Sequence, residues 1–158
     1  MNVQRKEKGF TIIEVVLVLA IAGLIFLMVF IALPALQRSQ RDTQRKNDLS
    51  RAITAVTSFA SNNRGALPDT SDNTAWGDFL TDYLTVGGDT FTDPSGTDYV
   101  FDIAASDVNI PEFAAEDAII YVTGGSTCDG ENLLNDQGAR KVAIRMKLEG
   151  GGVACSSN

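Results

Sequence analysis

Between Phe10 and Gln37 the chain carries one charge, Glu14, at the head of a run of Val, Leu, Ile and Phe. A carboxylate in an apolar helix costs up to about 2.5–3.5 kcal/mol at mid-bilayer and less near the interface, so Glu14 calls for a partner. The chemistry open to it is ionic pairing with an amine. Phe10 lies four residues ahead, and positions four apart share one helical face. The bland alternative is a Glu14 that sits at the interface and is solvated.

Composition excludes most other chemistry. With no histidine in 158 residues, no Ser-His-Asp triad, Cys-His pair or His-ligated zinc site can be built. Two cysteines are too few for a four-thiolate zinc site or an iron–sulfur cluster. The carboxylates are spread through turns without a positioned partner, which argues against an enzyme. Asp89, Asp93 and Asp98 offer oxygens to calcium, but their spacing departs from an EF-hand loop. They are expected to be solvated turn acids, and no cofactor is expected.

Charge divides the chain into segments. Residues 1–9 hold three basic residues (Arg5, Lys6, Lys8) against Glu7, residues 38–64 hold six against two, and residues 65–158 hold four against sixteen, a net of −12. An acidic head is a poor grip for nucleic acid, whose affinity rests on cationic contacts to phosphate. From Val15 to Leu33 no charge occurs, and at 1.5 Å per residue this run covers roughly 30 Å of helix, enough to cross a bilayer. The preceding cations hold residues 1–9 in the cytoplasm and send the head outside.

Three readings compete for this segment. A secretory signal cut after Ala20-Ile21-Ala22, before Gly23, fits a small-residue cleavage site, yet the apolar run continues for ten residues beyond it. A plain anchor accounts for the length but not for Glu14. The third reading rests on the residues themselves: Lys8-Gly9-Phe10-Thr11-Ile12-Ile13-Glu14 and the long apolar run after them resemble the prepilin cleavage and methylation motif of type IV pilins. The resemblance implies cleavage after Gly9 by a prepilin peptidase, methylation of the new amino terminus at Phe10, and pairing of Glu14 with the amino terminus of a neighbouring subunit. It implies identical subunits, an assembly ATPase and a platform protein as partners. It also implies a precursor that spans the cytoplasmic membrane once and an extracellular filament after assembly, whose usual outputs are twitching motility, adhesion or DNA uptake. A pseudopilin of a type II-like secretion system is the alternative, followed by a tethered binding domain that never polymerises.

The expected fold is α+β, a long helix packed on a small antiparallel sheet. Its parts are a leader (1–9), a transmembrane and polymerisation helix (10–37), an amphipathic stem helix (38–64) and a globular acidic head (65–158). Pro34 removes a backbone donor and Gly23 adds a second soft point; in pilins such residues mark where the helix extends in the filament. Leu49, Ala52, Ile53, Val56, Phe59 and Ala60 recur at three- and four-residue steps, one buried stripe. Gly65 is the expected left-handed stop of a helix running from about Thr11 to about Asn62. Arg38, Arg41 and Arg45 share a face, where they meet acids of neighbouring subunits or are solvated.

In the head, Trp76, Phe79, Leu80 and Tyr83 are spaced to face the core from a short helix. Three strands are expected: one through Tyr99, Phe101 and Ile103, one over 118–122, and one from Lys141 to Glu149 with Val142, Ile144, Met146 and Leu148 inward and mostly charged residues outward. Asp93-Pro94-Ser95-Gly96 is a turn signature and resembles the Asp-Pro-x-Gly turn of pilins and pseudopilins. Cys128 and Cys155 fall in the part this topology places outside the reducing cytosol, where a single disulfide is expected. Pilins commonly close a loop near the carboxyl end in this way.

Overall fold

In a computed structural model the chain is described at residues 9–105, 110 and 118–158. The cations Arg5, Lys6 and Lys8 and the rest of the leader up to residue 8 lie outside the described residues. Helix α1 runs Ile12–Asn62, and the chain divides into two compact units, Met1–Gln37 and Arg38–Asn158.

In the first unit, α1 is exposed at nearly every position. It contains Gly23 and Pro34 without a break in the helix. The missing donor of Pro34 therefore does not end the helix, despite the usual cost of an interior proline. Its apolar length is sufficient to cross a membrane.

The second unit is built on the stripe foreseen in the remainder of α1. Leu49, Ala52 and Val56 are buried, with Ile53 and Phe59 packed beside them. The helix ends as expected: Gly65 adopts φ 85° and its N–H donates to Ala60 O at 2.7 Å, the i−5 bond of a glycine-stopped helix. Helix α2 (Asn73–Phe79) starts on Asp72, whose side chain accepts from the Thr74 N–H, and continues into a π-helical turn, Leu80–Leu84. It delivers Trp76 and Phe79 into the core, where they meet Phe101 at 5.3 and 6.0 Å between ring centroids.

Among the described residues, four strands form one sheet in the order β1 (Val100–Ile103), β2 (Ile119–Gly124), β5 (Val142–Lys147) and β6 (Val153–Ser157). Strands β3 (Thr127–Asp129) and β4 (Asn132–Leu134) make a separate hairpin. The sheet is mostly antiparallel, and the expected wholly antiparallel sheet is corrected at one edge: β1 and β2 are parallel, with Phe101 opposite Ile120. Parallel neighbours require a crossover connection rather than a tight turn.

The expected two-sidedness of β5 is a second correction. Val142, Ile144 and Met146 are buried as foreseen, but so are Ala143 and Arg145 on the other face. A strand paired on both edges at the centre of a sheet is buried on both faces when both are covered, and alternation alone does not report that cover. Burial holds the Arg145 guanidinium below its ordinary pKa. Between β2 and β5 the chain forms the β3–β4 hairpin, and the carboxyl-terminal tail is strand β6.

Cys128 on β3 and Cys155 on β6 are joined in a disulfide with 5.8 Å between Cα atoms. The Cys128 N–H also donates to Ser157 Oγ at 3.1 Å. The bridge closes a loop with a sequence separation of 27, for which chain entropy gives about 3–4 kcal/mol. Replacing both cysteines by serine is expected to lower stability by that amount in denaturant titrations. A midpoint equal to the parent's would show that the bridge constrains nothing the hairpin does not already hold.

Candidate functional site

The amino-terminal site is assembled by the first turn of α1. The Thr11 N–H donates to Glu14 Oε2 at 2.9 Å and the Thr11 hydroxyl to the same oxygen at 2.7 Å, while the Glu14 N–H approaches Thr11 Oγ1 at 3.4 Å. This is a capping box, in which a hydroxyl residue and a carboxylate three positions on satisfy each other's backbone amides at a helix start. The carboxylate also lies at the positive end of the helix dipole. The Thr-x-x-Glu spacing was present in the sequence as a signal for Thr11, and attention to the four-residue step from Phe10 passed over it.

Phe10 itself is exposed and precedes the first helical residue. The helical face expected to join Phe10 to Glu14 is therefore absent here. The physical reason is the cap: a Thr11 side chain that bonds back to Glu14 starts the helix after it. Gly9 is exposed, and a side chain there would meet nothing within 4 Å. The peptide bond between Gly9 and Phe10 is thus flanked by two exposed residues that precede the helix.

The stem cations resolve differently from either expectation. Arg45 is fully buried, with Nε and Nη2 donating to Asp93 at 2.6 and 2.8 Å and Nη1 to Asp42 at 2.9 Å. Arg41 makes a two-pronged pair with Glu149 through Nε and Nη2. Arg38 reaches the same carboxylate at 3.6 Å with its side chain 60% exposed. The acids that meet this face belong to the same chain. Asp42 in addition accepts the N–H groups of Glu149 and Gly150 at 2.9 and 2.8 Å, which fixes the β5–β6 turn on α1.

Asp93 is a further correction, because it is buried and neither solvated nor placed to hold calcium. Among the described residues no group of acids could hold a metal ion. Burial pushes its carboxyl up, but hydrogen bonds from Arg45 and from the Ser95 hydroxyl and amide overcome that and hold it below the ordinary value. Glu149 is held low chiefly by its hydrogen bond from Arg41, and then by Arg45. The turn forms as expected, with the Gly96 N–H donating to Asp93 O at 2.8 Å and Gly96 at φ 94°. Asp89 pairs with Arg51 at 3.3 Å. Nearby, Tyr99 donates to Asp48 at 3.0 Å, and burial raises both groups.

An exposed apolar helix with a capped carboxylate at its start, followed by a helix-on-sheet head, defines a pilin-like α+β precursor built for a membrane. Residues 4–30 match the family model of the prokaryotic N-terminal methylation motif, typical of type IV pilin and pseudopilin prepilins. The chain thus carries, over residues 4–30, the amino-terminal motif of pilin- and pseudopilin-like prepilins, proteins that are generally structural, and the motif implies processing by a prepilin peptidase. The chain matches no curated protein and no solved structure.

Proposed function

We propose that the chain is the structural subunit of a type IV pilus, made as a single-pass precursor in the cytoplasmic membrane, cut after Gly9, methylated on Phe10 and polymerised into a surface filament. The observation that carries this reading is exposure: Ile12, Leu17, Phe26, Phe30 and most of the apolar side chains between them lie open on the single chain. At roughly 25 cal/mol per Å² of apolar surface, such a helix needs lipid first and neighbouring copies afterwards. In lipid the Glu14 carboxylate is met only by the neutral donors of Thr11 and has no oppositely charged partner. Cleavage creates an amine at Phe10 close to the capped carboxylate, and in a polymer that amine from one subunit competes with Thr11 for Glu14 of the next.

On this reading residues 10–37 are the polymerisation helix, with Gly23 and Pro34 as its softest points, and the acidic heads form the outer surface. The machinery includes the peptidase, an assembly ATPase and a platform protein. The Asp93 turn favours a pseudopilin as the second reading, and the Cys128–Cys155 bridge favours the pilus. The deciding measurement begins with the amino-terminal sequence and mass of protein from its native cell. A chain starting at methylated Phe10 is expected. A chain retaining residues 1–9, or starting at Gly23, would sink the filament reading in favour of an anchor or a secreted domain. Abundance on the cell surface then separates pilus from pseudopilus.

A further inference from the structure

A cleft of the head, about 1290 Å³, opens between the 64–70 segment leaving α1, residues 103–105 from the end of β1, residues 123–126 at and after the end of β2, and residues 135–141. Its lining carries three cations, Arg64, Arg140 and Lys141, against two acids, Asp69 and Asp136, on a head whose charge is otherwise strongly negative. From Gly65 to Ala139 the chain contains no Lys or Arg, yet the cations at the two ends of that acidic stretch, Arg64 and Arg140, both line the cleft. The Arg140 guanidinium lies beside the residue that follows Arg64, since a side chain added at Gly65 would begin 3.5 Å from the Arg140 Cζ. No ion pair joins either guanidinium to an acid among the described residues. Of the other charged groups on the lining, Lys141 Nζ donates to Asn158 O at 2.8 Å, and Asp69 accepts the amide and hydroxyl of Ser71 at 2.8 and 2.7 Å.

Two further observations converge on this place. Arg64 and Asp136, the non-glycine residues with positive φ among the described residues, both at 57°, both line it. Such conformations cost on the order of 1–3 kcal/mol and gather at binding sites. At the floor, Thr123 is 3% exposed and its Oγ1 has no hydrogen-bond partner, whereas buried polar groups are nearly always paired. The lining adds the Thr70 hydroxyl and the side chain of Asn135, whose Oδ1 accepts from the buried Ser126 hydroxyl at 3.1 Å, and it includes no aromatic ring. Without a ring, stacking of nucleic-acid bases has no platform.

We propose that this cleft binds a saccharide bearing carboxylate groups. The planar guanidinium forks of Arg64 and Arg140 suit a carboxylate, which they can grip through paired N–H donors. The hydroxyl and amide groups behind them suit sugar hydroxyls. The inference holds for a pilus and a pseudopilus alike.

The test uses the full chain in detergent micelles, titrated by NMR with tetragalacturonate and, separately, with its methyl ester, inorganic phosphate and an oligothymidylate. Tetragalacturonate is expected to shift the amide signals of Gly65, Gly125 and Gly138 with a Kd below about 1 mM, and the ester to bind at least roughly tenfold more weakly. Arg140→Gln and Arg64→Asn should each weaken the acid by about fivefold or more without moving the melting temperature, because both side chains are exposed. Equal binding of acid and ester would overturn the proposal. So would binding that both variants leave untouched, or a response confined to phosphate or to the oligothymidylate.

Discussion

Glu14→Ala is expected to remove filaments almost entirely, by at least about tenfold in sheared surface material, while precursor still accumulates in the membrane and is still cut after Gly9. The reasoning starts from the cost of a carboxylate in an apolar setting, up to about 2.5–3.5 kcal/mol at mid-bilayer. In the single chain that group is satisfied by Thr11 through two short hydrogen bonds. In a polymer surrounded by apolar side chains, an oppositely charged amine is the stronger partner, because charge-assisted bonds are roughly twice as strong as neutral ones. Alanine removes the group that, on the proposed pilus function, selects the register of an incoming subunit, but leaves the apolar surface intact. Thr11→Val is the informative contrast. It removes only the cap, typically about 1 kcal/mol of helix stability, and should reduce filaments far less than Glu14→Ala. Filament counts by electron microscopy together with precursor levels by immunoblot read both variants. Normal filaments from Glu14→Ala would leave the carboxylate as a solvated interfacial residue and remove the basis for the assembly role.

The second large effect belongs to the head. Arg45→Ala should destabilise it by about 3–5 kcal/mol, because it strands Asp93 and Asp42 in a site that excludes water, and breaking one partner of a buried pair leaves an uncompensated charge. For a domain of this size that corresponds to a fall in melting temperature of roughly 10–20 °C, followed by near-ultraviolet circular dichroism, which reads the Trp76 and Phe79 core rather than the helix in detergent. Asp93→Asn should cost less, since an amide oxygen can still accept the Ser95 N–H bond that Asp93 Oδ1 accepts at 2.9 Å. A melting temperature for Arg45→Ala within about 2 °C of the parent would mean that the pair contributes nothing net.

The same cluster sets an acid limit. Asp93 and Glu149 are held below their ordinary values in the folded state, so their contribution is fully present above the unfolded carboxylate pKa of about 4 and is lost as pH falls through the folded values. Asp48, raised by burial, works the other way and favours the fold slightly at acid pH. With two depressed groups against one, the melting temperature should decline below about pH 4, and the decline should be shallower in Asp93→Asn.

The residues that define this chain's class could be read without coordinates, and the reason is that they act locally. The methylation motif, the apolar run and the stop at Gly65 each depend on neighbours within a few positions. The buried stripe Leu49-Ala52-Val56 is likewise written in one helical period. The short helix through Trp76 and the strands β1, β2 and β5 were legible for the same reason, since periodicity and turn residues carry them. The capping box at Thr11 was equally local and was legible in principle from its Thr-x-x-Glu spacing.

What tertiary structure decided are the features in which distant segments meet. The parallel edge of the sheet follows from where a crossover lands, which no local pattern reports. Strand β5 reads as half charged, yet Arg145 is buried because a central strand is covered on both faces. Arg45 and Asp93 look like two solvated charges on a helix face and in a turn. They become a buried pair only because the 93–96 turn closes over α1, and a residue 48 positions away leaves no periodic trace. The cationic cleft has the same origin: Arg64 and Arg140 bracket an acidic stretch in the sequence, and only the folded chain brings the two ends of that stretch together. Backbone pattern determined that there would be a membrane helix and a helix-on-sheet head, because periodicity encodes which face is apolar. The partners of each charge were left to the fold, because electrostatic pairing depends on distance in space and burial rather than on spacing along the chain.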